Sequence, residues 1–401
     1  MENSIFKTSQ PVSIRRYDLD WLRVIAFAIL IFYHVGMFFN YWEWHIKNDV
    51  VTHAIEWPMR FPSQWRMALL FMISGAGVYF ALGNRKPGAF MGERFIRIFI
   101  PLAFGMFVIV PPQIFFERLT QGETYSYGEF YKTVFQFQPY PKGSFSWHHL
   151  WYLVYIFFYS LIGLPLLLFI RKRPEMTAKW AKFFSNPLML IAIPVIWHAG
   201  GEILLDERFP TTHNLVRDWS NHFHSFTLFL CGFVLCTQTS FWETLVKYRK
   251  LTTGIWIVLT IVLYTFYWGS GRDINGPELL FYWVIKTANA WCILLCIFGF
   301  GYKYLQFSNP FLKYANEAVY PFYILHQTVI ICLAYPIINT PWPWFAKFVY
   351  LCIATFLVCL ALYHFLIARF DLFRFLFGLK TIGRKKEKVD FEEAISISSK
   401  S

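Results

Sequence analysis

Apolar residues run along this chain in ten blocks separated by short polar stretches, at roughly 21–39, 65–83, 95–115, 148–170, 188–204, 221–238, 251–269, 279–302, 318–338 and 344–367. A spanning helix needs about 20 mostly apolar residues, and each block approaches that length. The pattern predicts an all-α, polytopic membrane protein with about ten transmembrane helices. The blocks at 188–204 and 221–238 carry the weakest signal. Prolines inside the blocks (Pro101, Pro111, Pro112, Pro165 and Pro194) each free a backbone carbonyl. In lipid those carbonyls need partners from neighbouring helices.

The polar stretches carry the orientation. If the N-terminus is cytoplasmic, the segments on that side hold 24 of the 37 Lys and Arg residues, the opposite segments hold 8, and 5 fall inside the blocks. A basic bias that alternates from loop to loop predicts both ends on the cytoplasmic side. Three regions follow: a cytoplasmic tail over 1–17, a transmembrane domain over 18–370, and a basic tail over 371–401. The last region, with RKKEK and then a Ser-rich stretch, is too polar to pack. Its basic run suits contact with anionic membrane lipid.

Composition narrows the class further. Hydrophobic residues make up 56% and charged residues 15%, against about 25% charged in a soluble domain. The formal charge of +13 would suggest nucleic acid on a soluble protein. Here the charge follows topology, so no nucleic-acid partner is expected. All seven Cys lie in apolar blocks, without a C-x-x-C pair or zinc-type spacing, and no metal site is expected. No H-E-x-x-H, G-x-S-x-G or P-loop motif occurs.

Ionisable residues inside the blocks are candidates for function because burying them in lipid is costly. Arg23 and His34 in the first block are 11 residues apart, about 20° off three full turns, so they share one helix face about 16 Å apart. Two readings of that face stand. Arg23 snorkels and His34 bonds a neighbouring helix, or the face lines a channel with a cation at its inner mouth and a proton acceptor deeper in. Arg94 and Arg97 share a face at the start of the third block. They are either ordinary basic flanking or a bidentate phosphate site. His326 lies one turn after Tyr323 in a late block, and Lys286 lies in the eighth. The outer side is rich in His and Trp, among them His45, His148 and His149, which suits an aromatic belt or a surface that stacks on sugar rings. His45 and Asp49 form an H-x-x-x-D pattern that is close to chance in a loop.

Five stretches together resemble the acyltransferase 3 family of integral membrane proteins. RRYDLDWLRVIAFAILIFYHVGMFF is similar to that family's first helix, with its Arg, ten residues and His. LLFMISGAGVYF, ERFIRIFIP, HHLWYLVYIFFY and AVYPFYILHQTVI resemble its second helix, its R-x-x-R motif, its H-L-W segment and its Y-x-x-H helix, in that order over about residues 15–370. The LDWLR wording and the lack of a soluble appendage are most like the family's succinyl-transferring branch. Ala-Gly follows the Ser-Gly of the second stretch, where relatives often carry an aromatic.

The resemblance implies an O-acyltransferase of the cell (inner) membrane. It would move an acetyl or succinyl group from cytoplasmic acyl-CoA, a substrate and not a bound cofactor, to a hydroxyl of an extracytoplasmic or lipid-linked carbohydrate. It implies His34 as general base, Arg23 as a donor-holding residue, and Arg94 and Arg97 as the CoA-phosphate site. His326, Tyr323, Lys286, His148 and His149 would line the substrate, with Lys286 a cation for a succinyl carboxylate. The alternative function is a transporter or flippase for a glycan, lipid or small organic acid, although no inverted repeat is evident.

Overall fold

The computed structural model describes residues 15–83, 85–269 and 274–383. Eleven helices carry the architecture: α1 (Tyr17–Met37), α2 (His53–Leu82), α3 (Pro87–Thr120), α4 (His148–Ile162), α5 (Leu164–Arg171), α6 (Pro187–Asp206), α7 (Trp219–Leu235), α8 (Thr239–Trp268), α9 (Pro277–Tyr304), α10 (Pro310–Ile337) and α11 (Trp344–Ile367). Among the described residues there is no strand, only a single bridge between Pro139 and Phe145. The chain is a multi-pass α-helical membrane protein.

Against the ten expected spans, the described residues hold eight helices long and apolar enough to cross a bilayer, or nine when α4 and α5 count as one span bent by 58°. The bend falls where Pro165 supplies no N–H. There Gly163 lies so close to the Tyr159 carbonyl that an added Cβ would sit 2.4 Å from it. The remaining block, 221–238, forms α7, which has only 17 residues. That is about 26 Å of helix, the lower limit for crossing a hydrocarbon core. α7 is drawn tight against α2 by a reciprocal pair of glycines. A Cβ at Gly75 would meet the Phe229 carbonyl oxygen at 1.8 Å, and one at Gly232 the Met72 carbonyl oxygen at 1.8 Å. Backbones approach this closely in membranes where no side chain intervenes.

The prolines find the partners that lipid withholds. Pro101 leaves the Arg97 carbonyl to the Tyr320 hydroxyl, 3.1 Å away. Pro194 leaves the Leu190 carbonyl to the Trp291 indole, at 2.9 Å. Pro111 and Pro112 together leave the Phe107 carbonyl to the Tyr131 hydroxyl, at 2.9 Å. Each donor comes from a different segment, so the kinks also lock tertiary packing.

α1 runs among α2, α9, α10 and α11. Its first turn carries buried Asp18, which Arg16 grips at 2.8 and 2.6 Å. The loop after α1 is held over the bundle by two lysines. Lys47 Nζ donates to the carbonyls of Met37 and Asn40, at 2.7 and 2.9 Å, and to that of Trp42. Lys347, fully buried on α11, donates to Asn48 Oδ1 at 2.8 Å, Asp49 Oδ1 at 3.0 Å and the Ile338 carbonyl at 2.7 Å. These bonds hold the Asp49 carboxyl below its usual range. The region expected as a tail from 371 begins with a helix, Asp371–Leu376. Its buried Arg374 pairs with Glu317 at 2.7 Å. Residues 1–14 and 384–401, including the RKKEK run, lie outside the described residues.

Candidate active site

Two cavities of about 1260 Å³ each open between α1, α2, α3, α4 and α10. One turn of each helix divides them. Along α1, Arg23 and Phe27 face the first cavity, and Leu30, Tyr33 and His34 the second. Along α10, Tyr320 faces the first and Tyr323 the second; along α4, Tyr152 faces the first and His149 the second. Arg23 and His34 thus share a face, as their spacing predicts, but open into different chambers. The wall between the chambers is aromatic. The Phe27 and Tyr323 ring centroids are 5.2 Å apart, and those of Tyr152 and Tyr323 are 5.8 Å apart. All three rings are buried. The Tyr323 hydroxyl donates to the His149 carbonyl at 2.6 Å, and the Tyr152 hydroxyl to the Leu70 carbonyl at 3.1 Å.

The first chamber is basic. Arg23, Arg94, Arg97, Lys313, Arg369 and Arg374 line it, and Glu317, already held by Arg374, is the one carboxylate among its lining residues. Arg94 and Arg97 do lie together, but unequally. Arg97 Nε is taken by Glu93 at 3.1 Å, whereas Arg94 Nε is buried without a hydrogen-bond partner. Arg23 pairs with Asp20 at 2.6 Å and leaves its own Nε unpartnered. A basic concavity with unspent N–H groups is a receptor for a phosphorylated anion.

The second chamber holds a histidine pair. His326 Nδ1 lies 2.6 Å from the Tyr323 carbonyl, and His326 Nε2 lies 3.0 Å from His34 Nδ1. A carbonyl only accepts, so His326 carries its proton on Nδ1. In the neutral ring Nε2 is then the acceptor, and His34 must donate to it from Nδ1. This leaves the lone pair of His34 on Nε2. A neutral imidazole oriented through its other nitrogen is the arrangement of a general base.

His149 is differently employed. Its Nε2 donates to the Ile324 carbonyl at 3.0 Å, and its Nδ1 accepts from Gln113 Nε2 at 3.2 Å. Gln113 also donates to Thr328 Oγ1 at 2.7 Å and accepts from Gln327 at 3.0 Å. His149 therefore ties α3, α4 and α10 together and has no nitrogen left for substrate. His148 lies nearer the rim with a left-handed backbone, φ 39°. Its Nδ1 is on Ser146 Oγ at 2.7 Å and its Nε2 is buried and unpartnered. Trp42, Trp44, Trp147 and Trp151 complete the aromatic rim.

One group of metal-type donors appears that spacing did not predict: His45, Glu117 and His148, whose ligand atoms lie within 4.8 Å of one another. The two imidazoles stack with centroids 4.4 Å apart and planes 5° from parallel. Ring lone pairs lie in the ring plane, so parallel stacked rings do not converge on one ion. Glu117 is also engaged, by His45 Nδ1 at 3.0 Å and by the Tyr140 hydroxyl at 2.7 Å. The cluster suits hydrogen bonding to a polyol better than metal ligation. Asp49, the other half of the H-x-x-x-D pattern, points instead to Lys347.

Lys286 is not among the residues that line either chamber. It lies over the Trp283 ring at 4.1 Å and 3.9 Å from Glu202, in a separate polar cluster of α6, α7 and α9. The intramembrane cation at the second chamber is Arg66, which sequence spacing did not single out. Its guanidinium carbon lies 3.3 Å from the Tyr33 ring centroid, beside His34. The signal for it is simply a charge inside an apolar block.

The fold and site define a helical membrane protein with a histidine pair walled off from a cation-lined chamber. The chain belongs to the acyltransferase 3 family, whose model, described as an acyltransferase domain, matches residues 16–364. It is a membrane acyltransferase. Among curated proteins it is similar to glucans biosynthesis protein C of Shigella dysenteriae serotype 1 (strain Sd197), 22% identical over 391 residues that cover 93% of this chain and 96% of the relative. It is equally similar to glucans biosynthesis protein C of Escherichia coli O6:K15:H31, 22% identical over 391 residues with the same coverage. No solved structure matches the chain.

Proposed function

We propose that this protein is an O-acyltransferase of the inner membrane that takes an acyl group from acyl-CoA in the cytoplasmic, cation-lined chamber. The acyl group, acetyl or succinyl, goes to a hydroxyl of a carbohydrate in the outward-facing aromatic chamber. The observation that carries the reading is the His34–His326–Tyr323 chain, which leaves His34 Nε2 as a proton acceptor at the second chamber. In this reading Arg94 and Arg23, which have unspent N–H groups in the first chamber, hold the donor's phosphates while its pantetheine arm crosses at the aromatic wall. The acceptor hydroxyl gives its proton to His34 as its oxygen attacks the thioester carbonyl. The basic bias of alternate loops supports the sidedness.

Purified protein in vesicles, given acyl-CoA labelled in the acyl group and a carbohydrate acceptor, is expected to move label onto the acceptor. His34→Ala is expected to abolish that movement while the protein remains folded. Transfer that persists at full rate in the variant overturns the base assignment. Passage of unmodified acceptor with no label transferred would favour a transporter instead.

A further inference from the structure

We propose that Arg66 is a catalytic residue that stabilises the negative charge of the tetrahedral intermediate; the proposal rests on the acyl-transfer reading above. Attack of a hydroxyl on a thioester moves the carbonyl π electrons onto oxygen, and the resulting oxyanion needs hydrogen-bond donors fixed in advance. Backbone amides supply them in many soluble acyltransferring sites. Inside a membrane helix those amides are already bonded along the helix, so the donors must come from side chains or from a helix start.

Most other polar side chains of the second chamber are engaged within the protein, with His148 Nε2 at the rim the exception. Lys47 donates to Met37, Asn40 and Trp42, His149 to Ile324, Gln327 to Gln113, Tyr323 to His149, and Tyr140 to Glu117. Arg66 differs. Its Nε and Nη1 are both buried and neither has a hydrogen-bond partner. A buried donor left unmade is costly, and more so when charged, so two on one guanidinium point to a partner that arrives with substrate.

The place of Arg66 in the helix strengthens the case. α2 breaks after Ser63 and restarts at Arg66, the first residue of the segment Arg66–Leu82. Trp65 gives that segment no side-chain cap. The positive end of the helix dipole therefore coincides with a partly buried cation, an arrangement that is unfavourable until an anion is present. Met67, the next residue, also lines the second chamber, so the helix start faces it. The Tyr33 ring, 3.3 Å from the guanidinium carbon and 5.9 Å from the His34 ring, holds Arg66 beside the base.

The step balances without a further reactant. His34 Nε2 takes the hydroxyl proton, the hydroxyl oxygen bonds to the thioester carbon, and the oxyanion rests on an unspent N–H of the Arg66 guanidinium. Collapse restores the carbonyl and breaks the C–S bond, and the thiolate leaves with the proton from His34.

The test measures transfer kinetics and thermal unfolding for wild type, His34→Gln, Arg66→Met and Arg66→Lys in the same vesicles. Arg66→Met is expected to lower kcat by about 10²–10³-fold, with KM for donor and acceptor little changed. Its unfolding temperature should be equal to or above wild type, because an unpaired buried charge is removed. A structural role would instead lower stability and leave kcat per folded molecule intact, and that result overturns the proposal. Should Arg66→Met not fold, Arg66→Lys decides. It keeps the charge but loses the planar guanidinium that places the unspent donor, so its kcat must fall, and a wild-type kcat overturns the proposal. No transfer by wild type defeats the acyl-transfer reading and this proposal with it. Transfer that is lost in His34→Gln but kept in Arg66→Met defeats this proposal alone.

Discussion

His34 Nδ1–H donates to His326 Nε2 at 3.0 Å, while the Nδ1–H of His326 is committed to the Tyr323 carbonyl 2.6 Å away. Removing the second ring leaves the first in place but frees its tautomer. His326→Phe is therefore expected to lower kcat by about 10²–10⁴-fold, the range of general-base assistance, with little change in KM. His326→Asn keeps a hydrogen-bonding side chain at the position and should recover part of the loss. Steady-state transfer rates at saturating donor check this, and equal rates for wild type and His326→Phe would remove His326 from the mechanism.

The two arginines of the first chamber should not behave alike. Arg94 has an unspent Nε, while Arg97 is partly occupied by Glu93. Arg94→Gln is expected to raise KM for acyl-CoA about 10–100-fold, as loss of one charged hydrogen bond of about 1.5–3 kcal/mol would. Arg97→Gln should raise it less. Titration of acyl-CoA binding by calorimetry measures the order, and a larger effect at Arg97 would refute the assignment.

The wall of Phe27, Tyr152 and Tyr323 keeps the two chambers apart. Cutting one ring away should admit water to the thioester. Phe27→Ala is expected to raise acyl-CoA hydrolysis in the absence of acceptor while transfer falls. The ratio of free acid to acylated carbohydrate, read by mass spectrometry, reports it. An unchanged ratio would mean that the wall does not guard the donor.

Gly75 and Gly232 set the crossing of α2 and α7 through contacts that a Cβ would bring to 1.8 Å. Gly75→Val or Gly232→Val should destabilise the protein by at least about 3 kcal/mol, the upper end of ordinary overpacking. Gly77, with nothing within 4 Å of its Cβ position, is the control, and Gly77→Ala should leave thermal unfolding in detergent nearly unchanged. A Gly232→Val protein as stable as Gly77→Ala would show that the crossing tolerates separation.

Much of this was legible in the chain itself. Long apolar blocks fix helices because lipid leaves the backbone no other partner, and the shared face of Arg23 and His34 follows from helical period alone. What lay beyond the sequence depends on which groups meet across helices. Arg66 looks like any intraspan cation until the surrounding helices are seen to offer its Nε and Nη1 no acceptor. Lys286 suits the chamber by charge, but α9 turns it toward Glu202. His149 and His326 are alike in sequence, a histidine in an apolar block. Only their partners make one a brace across three helices and the other the acceptor of the His34 Nδ1–H bond. The block at 221–238 reads as a span from its hydropathy, whereas α7, at the lower limit of a spanning length, spends part of its apolar surface on α2.

Where water fills both cavities, a wall one helical turn deep also does the electrical work that otherwise takes about 30 Å of hydrocarbon. Nearly all of the membrane voltage then drops across three rings, at about 2.3 kcal/mol per elementary charge per 100 mV. A substitution that opened the wall would then show itself as a leak of ions as well as a change in chemistry.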